Sequence, residues 1–374
     1  VLFRSSDLSE IEDWSKDWLV TFNASKTVSM LVSRKVTPIV HPPVTFQGHV
    51  LEDTNKHKHL GITLRSDLRW NDHISEIITK ANKLINIMKS LKFILDRSTL
   101  EIIYFSFIRP ILEYASPVWS GCTESDAKKL ESVQTDAARI VTGAMHGTNI
   151  DKLYEELGWQ SLAERRETTK LILMYKIVNK LVPEPLCSLV TSNDVPSFNT
   201  RRPFDLSHFQ ARTDLLDKSF FPSTVRLWNQ LPVEVRNSPS IQVFKHKIIK
   251  SVPRSTKFPE LFNFGDRFIA IQHTRLRLGA SLLNSHLYKI GVKESPACTC
   301  GSHTEDIFHY FFLCPKYRNL RLTLHTKIIP LAPFTLQTLL YGSTQCSFKE
   351  NCDVFAAVHE YISATNRFRP TGIG

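Results

Sequence analysis

The sequence contains no long apolar run. Its most apolar stretch, LILMYKIVNKLV, is interrupted by Lys176 and Lys180, whereas a helix that crosses a membrane needs about 18 or more consecutive apolar residues. The first residues, VLFRSSDLSE, also lack the pattern of a secretory signal. We therefore expect a soluble intracellular protein, nuclear or cytoplasmic, that has no membrane partner.

The sequence also lacks the residue arrangements on which most enzymes depend. It shows no Ser, His and Asp set, no glycine-rich phosphate loop and no array of paired carboxylates. Its acidic pairs are interpreted more simply as solvated or helix-capping charges: Glu12 with Asp13, Glu52 with Asp53, and Glu305 with Asp306. An enzyme with an active site of its own therefore has little support.

What the sequence does contain is an excess of positive charge. Its 374 residues include 47 Lys and Arg against 36 Asp and Glu, a formal net charge of +11, and 42% of them are hydrophobic. A chain of this length and apolar content can form two or three domains. The charge favours nucleic acid as a partner, ahead of anionic membrane, although solvated lysines would give the same balance.

The amino-terminal part combines a helix with strand-like segments. Apolar residues recur at helical spacing from Ser6 to Trp18, and residues 28–32 alternate as in a strand. KHLGITL predicts a second strand. Because the chain begins without Met and runs directly into this pattern, we expect it to start inside a domain whose earlier part is missing.

From Asn71 the pattern becomes helical, with an apolar stripe that continues to Leu91 and with Asn71 or Asp72 as the expected cap. Further helices are predicted from Ser98, Glu124 and Ser161, and Ser98 and Ser161 begin capping-box patterns. Prolines then become frequent from 183 to 260, where SFFPSTVRLWNQLP is apolar enough to dock on a core. Helix is expected again over 265–290. These patterns predict an α+β fold that is predominantly α.

The segment CTCGSHTEDIFHYFFLC groups three of the seven cysteines with two histidines. Zinc is usually held by four Cys or His ligands in a tetrahedron, and the predicted set is Cys298, Cys300, His309 and Cys314. Ser302 and Glu305 form a candidate capping box for a short helix carrying His309, with His303 as an alternative ligand. A zinc ion with four protein ligands is structural rather than catalytic. The other interpretation is three buried thiols beside an aromatic core.

Several segments together resemble the reverse transcriptase of non-LTR retrotransposons of the jockey and chicken-repeat kind. They are WSKDWLVTFNASKTVSMLVS, HKHLGITLRSDLRWNDHI, IYFSFIRPILEYASPVW and LESVQTDAARIVTG. SFFPSTVRLWNQLP and the cysteine segment with its flanks are similar to the region that follows that domain in the same elements. The resemblance covers most of residues 5–325.

The resemblance implies a division of the chain into five parts. These are the end of the polymerase palm with a helix and β-hairpin (1–66), a helical thumb (67–190), a Pro-rich connector with the docked segment (191–260), a Cys/His knuckle region (261–330) and a carboxy-terminal tail (331–374).

The resemblance also bears on activity. In that family a Tyr-Ala-Asp-Asp turn holds two magnesium ions, and this chain does not contain it. Magnesium is therefore expected only in the intact polymerase, and this chain is predicted to be inactive alone. The leading hypothesis is a polymerase fragment that binds RNA and DNA. The alternative is a domesticated stand-alone module with a structural zinc site that binds nucleic acid or protein.

A thumb holds a duplex by its phosphates, so lysines and arginines are the predicted contacts. Solvated side chains and, for Asn23, a turn are the competing interpretations. Three tryptophans, Trp70, Trp119 and Trp159, are interpreted as core rather than as base-stacking residues. The predicted nucleic-acid contacts are Asn23, Lys26, Lys80, Lys83, Lys89, Lys92, Arg165, Arg166, Arg275, Arg277, Lys316 and Arg318.

Overall fold

The computed structural model describes residues 5–23, 26–35, 41–190, 205–249 and 259–369. Within these ranges the chain is predominantly helical, as predicted, with short two-stranded sheets confined to the amino-terminal part. No helix in the described ranges has the length and apolar character needed to cross a membrane.

The amino-terminal part contains one helix, α1 (Ser5–Asp17), and three small sheets. Parallel β1 (Val28–Ser29) and β4 (Glu52–Asp53) form one pair. The other pairs are antiparallel: β2 (Thr45–Phe46) with β3 (His49–Val50), and β5 (Lys56–His59) with β6 (Ile62–Arg65). The strand predicted at residues 28–32 is therefore limited to two residues.

The segment KHLGITL does not form the single strand that its apolar residues predict. It turns at Leu60 and Gly61, which both have positive φ (46° and 83°), as a two-residue type I′ hairpin requires. The chain therefore folds back on itself within 56–65 and places β6 against the start of the next helix, where Thr63 donates a 2.9 Å hydrogen bond to Glu76.

Seven helices build the first core, in the region predicted to be helical. Its centre is fully buried and includes Trp119, while Trp159 stacks on Tyr104 with ring centroids 4.4 Å apart. Trp70 packs against the same core, which confirms the core interpretation of these tryptophans. The helices are α2 (Asn71–Ser90), α3 (Arg97–Ile103), α4 (Arg109–Glu113), α5 (Ser116–Trp119), α6 (Glu124–Thr142), α7 (Ile150–Leu157) and α8 (Leu162–Val178).

Two of the predicted helix caps are wrong and one is confirmed. The amino terminus of α2 lies at Trp70 and has no side-chain cap. Helix α3 is capped by Asp96, which accepts from the Thr99 amide, rather than by Ser98. The capping box of Ser161 and Glu164 is present at α8 as predicted.

A second core forms where the docked segment was expected. Trp228 is buried against Tyr175 and Phe244, so the carboxy-terminal half of α8 holds this segment in place. The remainder of the predicted linker, 191–204 and 250–258, lies outside the described residues. The helices here are α9 (Glu184–Cys187), α10 (Asp214–Lys218), α11 (Phe220–Gln230), α12 (Val233–Arg236) and α13 (Ile241–Ile248).

The third core contains the cysteine segment. Its buried residues extend from Leu261 to Phe368, so it joins residues on both sides of the boundary predicted at 330. The helices are α14 (Arg267–Arg277), α15 (Asn284–Lys289), α16 (Arg318–Ile328), α17 (Leu336–Tyr341) and α18 (Phe348–Ala364). Between α15 and α16 a π-helical turn covers His309–Leu313.

Candidate metal centre

Four side chains of the cysteine segment converge on one point. Ligand atoms of Cys298, Cys300, His309 and Cys314 all lie within 4.8 Å of one another. The Cys298 and Cys314 Sγ atoms are 3.9 Å apart, and Cys300 Sγ is 3.4 Å from His309 Nε2. A tetrahedral zinc ion with Zn–S distances of about 2.3 Å requires S–S separations of about 3.8 Å. The cluster therefore has the donor atoms and the size to hold a metal such as zinc.

A tight turn brings the first two cysteines together. The Cys298 amide donates to Ser302 O at 2.9 Å, and the Gly301 amide donates to Cys298 O at 3.0 Å. Gly301 has φ +97°, a conformation that residues with a Cβ rarely adopt. The glycine that the sequence placed after Cys300 is thus the residue that lets the chain reverse.

The π-helical turn brings in the other two ligands. The Cys314 amide donates to the His309 carbonyl at 2.8 Å, five residues earlier, which is the spacing of a π-helix. In an ordinary α-helix, residues five apart point about 140° from each other. The wider turn therefore lets His309 and Cys314 face the same point.

The predicted capping box of Ser302 and Glu305 is wrong. Asp306 receives the His309 amide at 2.7 Å, while Glu305 is buried and accepts from Arg367 Nε at 2.7 Å. Glu305 also accepts from the Asn284 amide at 2.9 Å. It is therefore a buried structural carboxylate rather than a solvated or capping charge.

The pKa values around the cluster follow burial and hydrogen bonding. Burial raises the pKa of the Cys298 thiol to about 12, whereas a hydrogen bond from the Ser302 amide lowers the pKa of Cys300. Burial alone would raise the pKa of Glu305, but hydrogen bonds from Arg367 and the Asn284 amide lower it overall. Glu305 is thus a carboxylate beside the thiols, with Cys298 Sγ 3.9 Å from its Oε1.

The two candidate histidines occupy different places. His309 is buried in the cluster, while His303 is exposed and outside it. The structure also identifies two supports that spacing did not indicate. Arg321 Nη2 donates to Cys314 O at 2.6 Å, and Lys316 Nζ donates to Thr299 Oγ1 at 2.7 Å. Lys316 is also one of the predicted nucleic-acid contacts, and its hydrogen bond to Thr299 could not be foreseen from spacing.

Seven of the predicted nucleic-acid contacts are exposed. On α2, Lys80 and Lys83 are three residues apart and share a face that points away from the apolar stripe. Lys89, six residues after Lys83, is turned about 120° from it around the helix. The exposed residues are Asn23, Lys26, Lys80, Lys83, Lys89, Lys316 and Arg318.

Three other predicted contacts, in or next to the first core, are partly buried, ion-paired or buried. Lys92 follows the end of α2 and is partly buried, and burial together with the nearby Arg275 and Arg267 lowers its pKa to about 8. Arg165 donates to both oxygens of Glu113, and Arg166 is buried. These side chains therefore differ from the freely exposed cations that the sequence predicted.

Arg275 and Arg277 differ most from their predicted role. Both lie where α14 meets the first core, and Arg275 Nε donates to Gly143 O at 2.9 Å. Arg277 is 2.9 Å from Glu156, whose carboxylate is also 2.9 Å from Arg97. All three side chains are buried, so Arg277 does not reach a phosphate in this structure. We call Arg97, Glu156 and Arg277 the buried triad.

The central carboxylate of the buried triad, Glu156, stays ionised despite desolvation. Burial alone would raise the pKa of Glu156, but the charges and hydrogen bonds of Arg277 and Arg97 lower it overall. Both guanidinium groups also lie over the ring of Phe262, at 3.9 Å and 5.4 Å from its centroid. Gly143 at the end of α6 has φ +75°, and any Cβ there would overlap Ile271 of α14. Helix α14 thus fits closely against the first core.

Several curated proteins are similar to this chain. The "Probable RNA-directed DNA polymerase from transposon BS" of Drosophila melanogaster is 24% identical over 164 residues, which cover 42% of this chain and 18% of that protein. The "RNA-directed DNA polymerase from mobile element jockey" of Drosophila funebris is 28% identical over 144 residues, 37% of this chain and 15% of that protein. The "Retrovirus-related Pol polyprotein from type-1 retrotransposable element R1" of Bradysia coprophila is 22% identical over 321 residues, 83% of this chain and 29% of that protein.

The chain spans between 14% and 29% of the length of the curated relatives that it matches. No family model and no solved structure matches it.

Proposed function

The chain is a distant homologue of the RNA-directed DNA polymerases of non-LTR retrotransposons, and from this premise we propose that it is the nucleic-acid-binding part of such a polymerase, without the catalytic carboxylates. The observation that carries the proposal is the similarity to several such elements, which for the R1 relative extends over 83% of the chain. The absence of a Tyr-Ala-Asp-Asp sequence from the chain supports the second half of the proposal.

The predicted division of the chain is part of this proposal. Residues 1–66 would be the end of the palm, 67–190 the thumb and 191–260 the connector. Residues 261–330 and 331–374 would be the knuckle region and the tail. Both of the last two parts contribute residues to the third core.

We assign the phosphate contacts to the exposed residues of the predicted set. Lys80 and Lys83 lie on one flank of α2 and away from its buried stripe. Lys89, Asn23 and Lys26 are exposed as well, and the knuckle region adds Lys316 and Arg318. Structural roles are left to Arg165 and Arg277, which are ion-paired, to the buried Arg166, and to Arg275, which donates to a backbone carbonyl.

We assign zinc to the cluster as a structural ion. Three thiolates and one imidazole would complete its coordination, which leaves no position for substrate. Wild-type protein should contain one zinc per chain, and Cys300→Ser should lose most of it, because three ligands hold zinc more weakly than four. Cys187→Ser, which changes a cysteine outside the cluster, is the matched control. Equal zinc content in wild type and Cys300→Ser would contradict the assignment.

Two measurements test the nucleic-acid role. Wild-type protein should bind RNA and DNA with an affinity that falls steeply with salt, because phosphate contacts release counterions. Primer extension with magnesium should stay at background. Measurable extension would contradict the proposal that this chain lacks the catalytic carboxylates.

A pair of variants locates the phosphate contacts. Lys80→Ala with Lys83→Ala should reduce the salt dependence of binding by about two contacts. The control is Lys152→Ala with Lys349→Ala, which removes two exposed helix lysines elsewhere. Equal salt dependence in the two double variants would show that Lys80 and Lys83 do not contact phosphate.

A further inference from the structure

An aromatic ladder lies beside the metal cluster on the surface of the third core. The ring of Phe308 stacks on Phe312, with centroids 4.9 Å apart and an interplanar angle of 25°. Phe312 contacts Phe334 at 5.4 Å, and Phe334 contacts His325 at 4.9 Å. We call these four residues the aromatic ladder. None of them was among the residues that the sequence predicted to bind nucleic acid.

The turn that carries the metal ligands also presents the ladder. Phe308 directly precedes His309, and Leu313 directly precedes Cys314. The two ligands are buried, whereas Phe308 is 51% exposed and Leu313 is 61% exposed. His309 and Cys314 therefore point inward with the fully buried Tyr310 and Phe311, whereas Phe308 and Leu313 face outward. An ion in the cluster would fix the backbone that carries both sets.

The exposure of Phe308 is not explained by packing. One face of its ring is covered by Phe312, which itself packs against the third core. This contact holds the Phe308 ring in position. About half of the side chain remains in water, where apolar surface is unfavourable. A rigid, half-exposed aromatic ring in this position is typical of a surface that binds a flat partner.

The charges around the ladder indicate which partner. Residues 307–349 contain no Asp or Glu. The exposed Asp306 directly precedes this stretch, and its carboxylate accepts the His309 amide at 2.7 Å. Arg318 lies on the same face of α16 as Leu322 and His325, because residues four and seven apart share a helix face. Lys316 is exposed just before this helix. Positive charge next to open aromatic rings suits a phosphate chain that bears bases.

We propose that the aromatic ladder is a stacking platform for single-stranded nucleic acid, with an unpaired base on the open face of Phe308 and adjacent phosphates on Lys316 and Arg318. Bases in a duplex are already stacked on their neighbours, so the platform should discriminate against double strands. The inference rests on the proposed function that the chain binds nucleic acid. It adds that the preferred ligand is single-stranded and that Phe308, Lys316 and Arg318 bind it.

The test measures affinity of the full chain, loaded with zinc, for a short RNA strand, a DNA strand of the same sequence and the matching duplex. Phe308→Leu keeps an apolar side chain but removes the ring, and it should weaken binding of single strands by roughly 5- to 100-fold. Binding of the duplex should change little. Phe308→Trp should restore single-strand binding, because a larger ring stacks as well.

Two controls separate stacking from charge and from folding. Phe93→Leu replaces a phenylalanine that is 61% exposed after the end of α2, and it should leave affinity for single strands unchanged. Arg318→Ala should lower the salt dependence by about one phosphate contact, whereas Phe308→Leu should not. Zinc content should be equal in all variants.

The outcomes distinguish this inference from the proposed function. Wild-type protein that binds no nucleic acid would overturn both. Wild-type binding that is unchanged in Phe308→Leu would overturn only the platform, and would leave the ladder as a contact surface for protein. The ratio of RNA to DNA affinity in wild type identifies which single strand is the better ligand.

Discussion

At the scale of single residues, the third core contains two buried histidines in direct contact. His273 Nδ1 and His359 Nε2 are 3.2 Å apart, and His273 Nε2 lies 2.9 Å from Leu339 O. Burial, followed by the nearby charge of Arg277, lowers the pKa of both imidazoles, in His359 to about 4 despite the opposing charge of Asp266. Both are therefore neutral in the folded protein at neutral pH.

This pair should make the free energy of unfolding depend on pH. An unfolded histidine has a pKa of about 6.5, so below that pH the unfolded chain binds protons that the folded chain excludes. The contribution of His359 is therefore complete above pH 6.5 and is lost as pH falls toward 4, by about 3 kcal/mol.

Urea unfolding at a series of pH values checks this expectation. His359→Gln should unfold with a weaker pH dependence than wild type between pH 6.5 and 4. The control is His208→Gln, which replaces an exposed histidine and should show the same pH dependence as wild type. Any metal that the protein loses at low pH is lost equally from this control. Parallel curves for wild type and His359→Gln would show that the pair does not titrate as expected.

The residue scale also shows how far the sequence could predict the site. The four residues of the candidate metal cluster could be recognised because short Cys and His spacing is typical of metal sites, and the structure brings their ligand atoms together. Whether each cation is exposed or ion-paired could not be predicted, because Lys83 and Arg277 look alike in a basic helix. Whether such a side chain faces water or Glu156 depends on how distant helices pack. The exposure of Phe308 could not be predicted for the same reason, since an aromatic run next to cysteines is typical of a core. Only the packing of the surrounding helices shows which of its rings face water.

At the scale of elements, periodicity predicted the long helices well, and their ends less well. Helix α2 begins and ends close to its apolar stripe because that stripe is buried. The hairpin of β5 and β6 was mistaken for one strand because its turn uses Leu60, a residue that rarely takes positive φ. The π-helical turn was predicted as ordinary helix, since no residue pattern marks the extra residue in its hydrogen-bond ring.

The cap of α3 offers a direct test at this scale. Asp96 accepts from the Thr99 amide at 2.9 Å and from the Thr99 hydroxyl at 2.6 Å. Asp96→Ala should reduce the free energy of unfolding by about 1 kcal/mol. Ser98→Ala should cost less, because that hydroxyl only donates to Asp96. Denaturant titration of the two variants decides which residue is the cap, and a larger loss in Ser98→Ala would favour the sequence-based assignment.

At the scale of the whole molecule, the buried triad joins the first core to the third. Arg97 belongs to α3, Glu156 to α7 and Arg277 to α14. Nearby, Arg267 Nη2 donates to Val141 O at 2.6 Å and to Ile140 O at 3.2 Å. The unit that contains the candidate metal cluster is therefore anchored to α3, α6 and α7 of the first core through buried, directional contacts. Helix α2, which carries Lys80 and Lys83, belongs to the same core.

Removing the central carboxylate should reveal the strength of this joint. Glu156→Ala leaves two buried guanidinium groups without their partner, and it should cost about 3–5 kcal/mol of unfolding free energy. The control is Asp217→Ala, which breaks the exposed ion pair with Arg226 and should cost about 0–1 kcal/mol. Urea unfolding of both variants provides the comparison. Similar losses in the two would mean that the triad adds no more than a surface pair.

The close fit of Gly143 against Ile271 has a consequence for how the sequence can change over time. Position 143 needs a backbone conformation that favours glycine, and it has no room for a side chain while isoleucine occupies position 271. Neither residue belongs to the candidate metal cluster, and Gly143 meets the predicted set only where its carbonyl accepts from Arg275. Among homologues with this arrangement of helices, we expect glycine at 143 to persist, and larger residues there to occur only alongside a smaller residue at 271. A record of paired substitutions at these two positions would therefore trace how long selection has maintained the joint between the two cores.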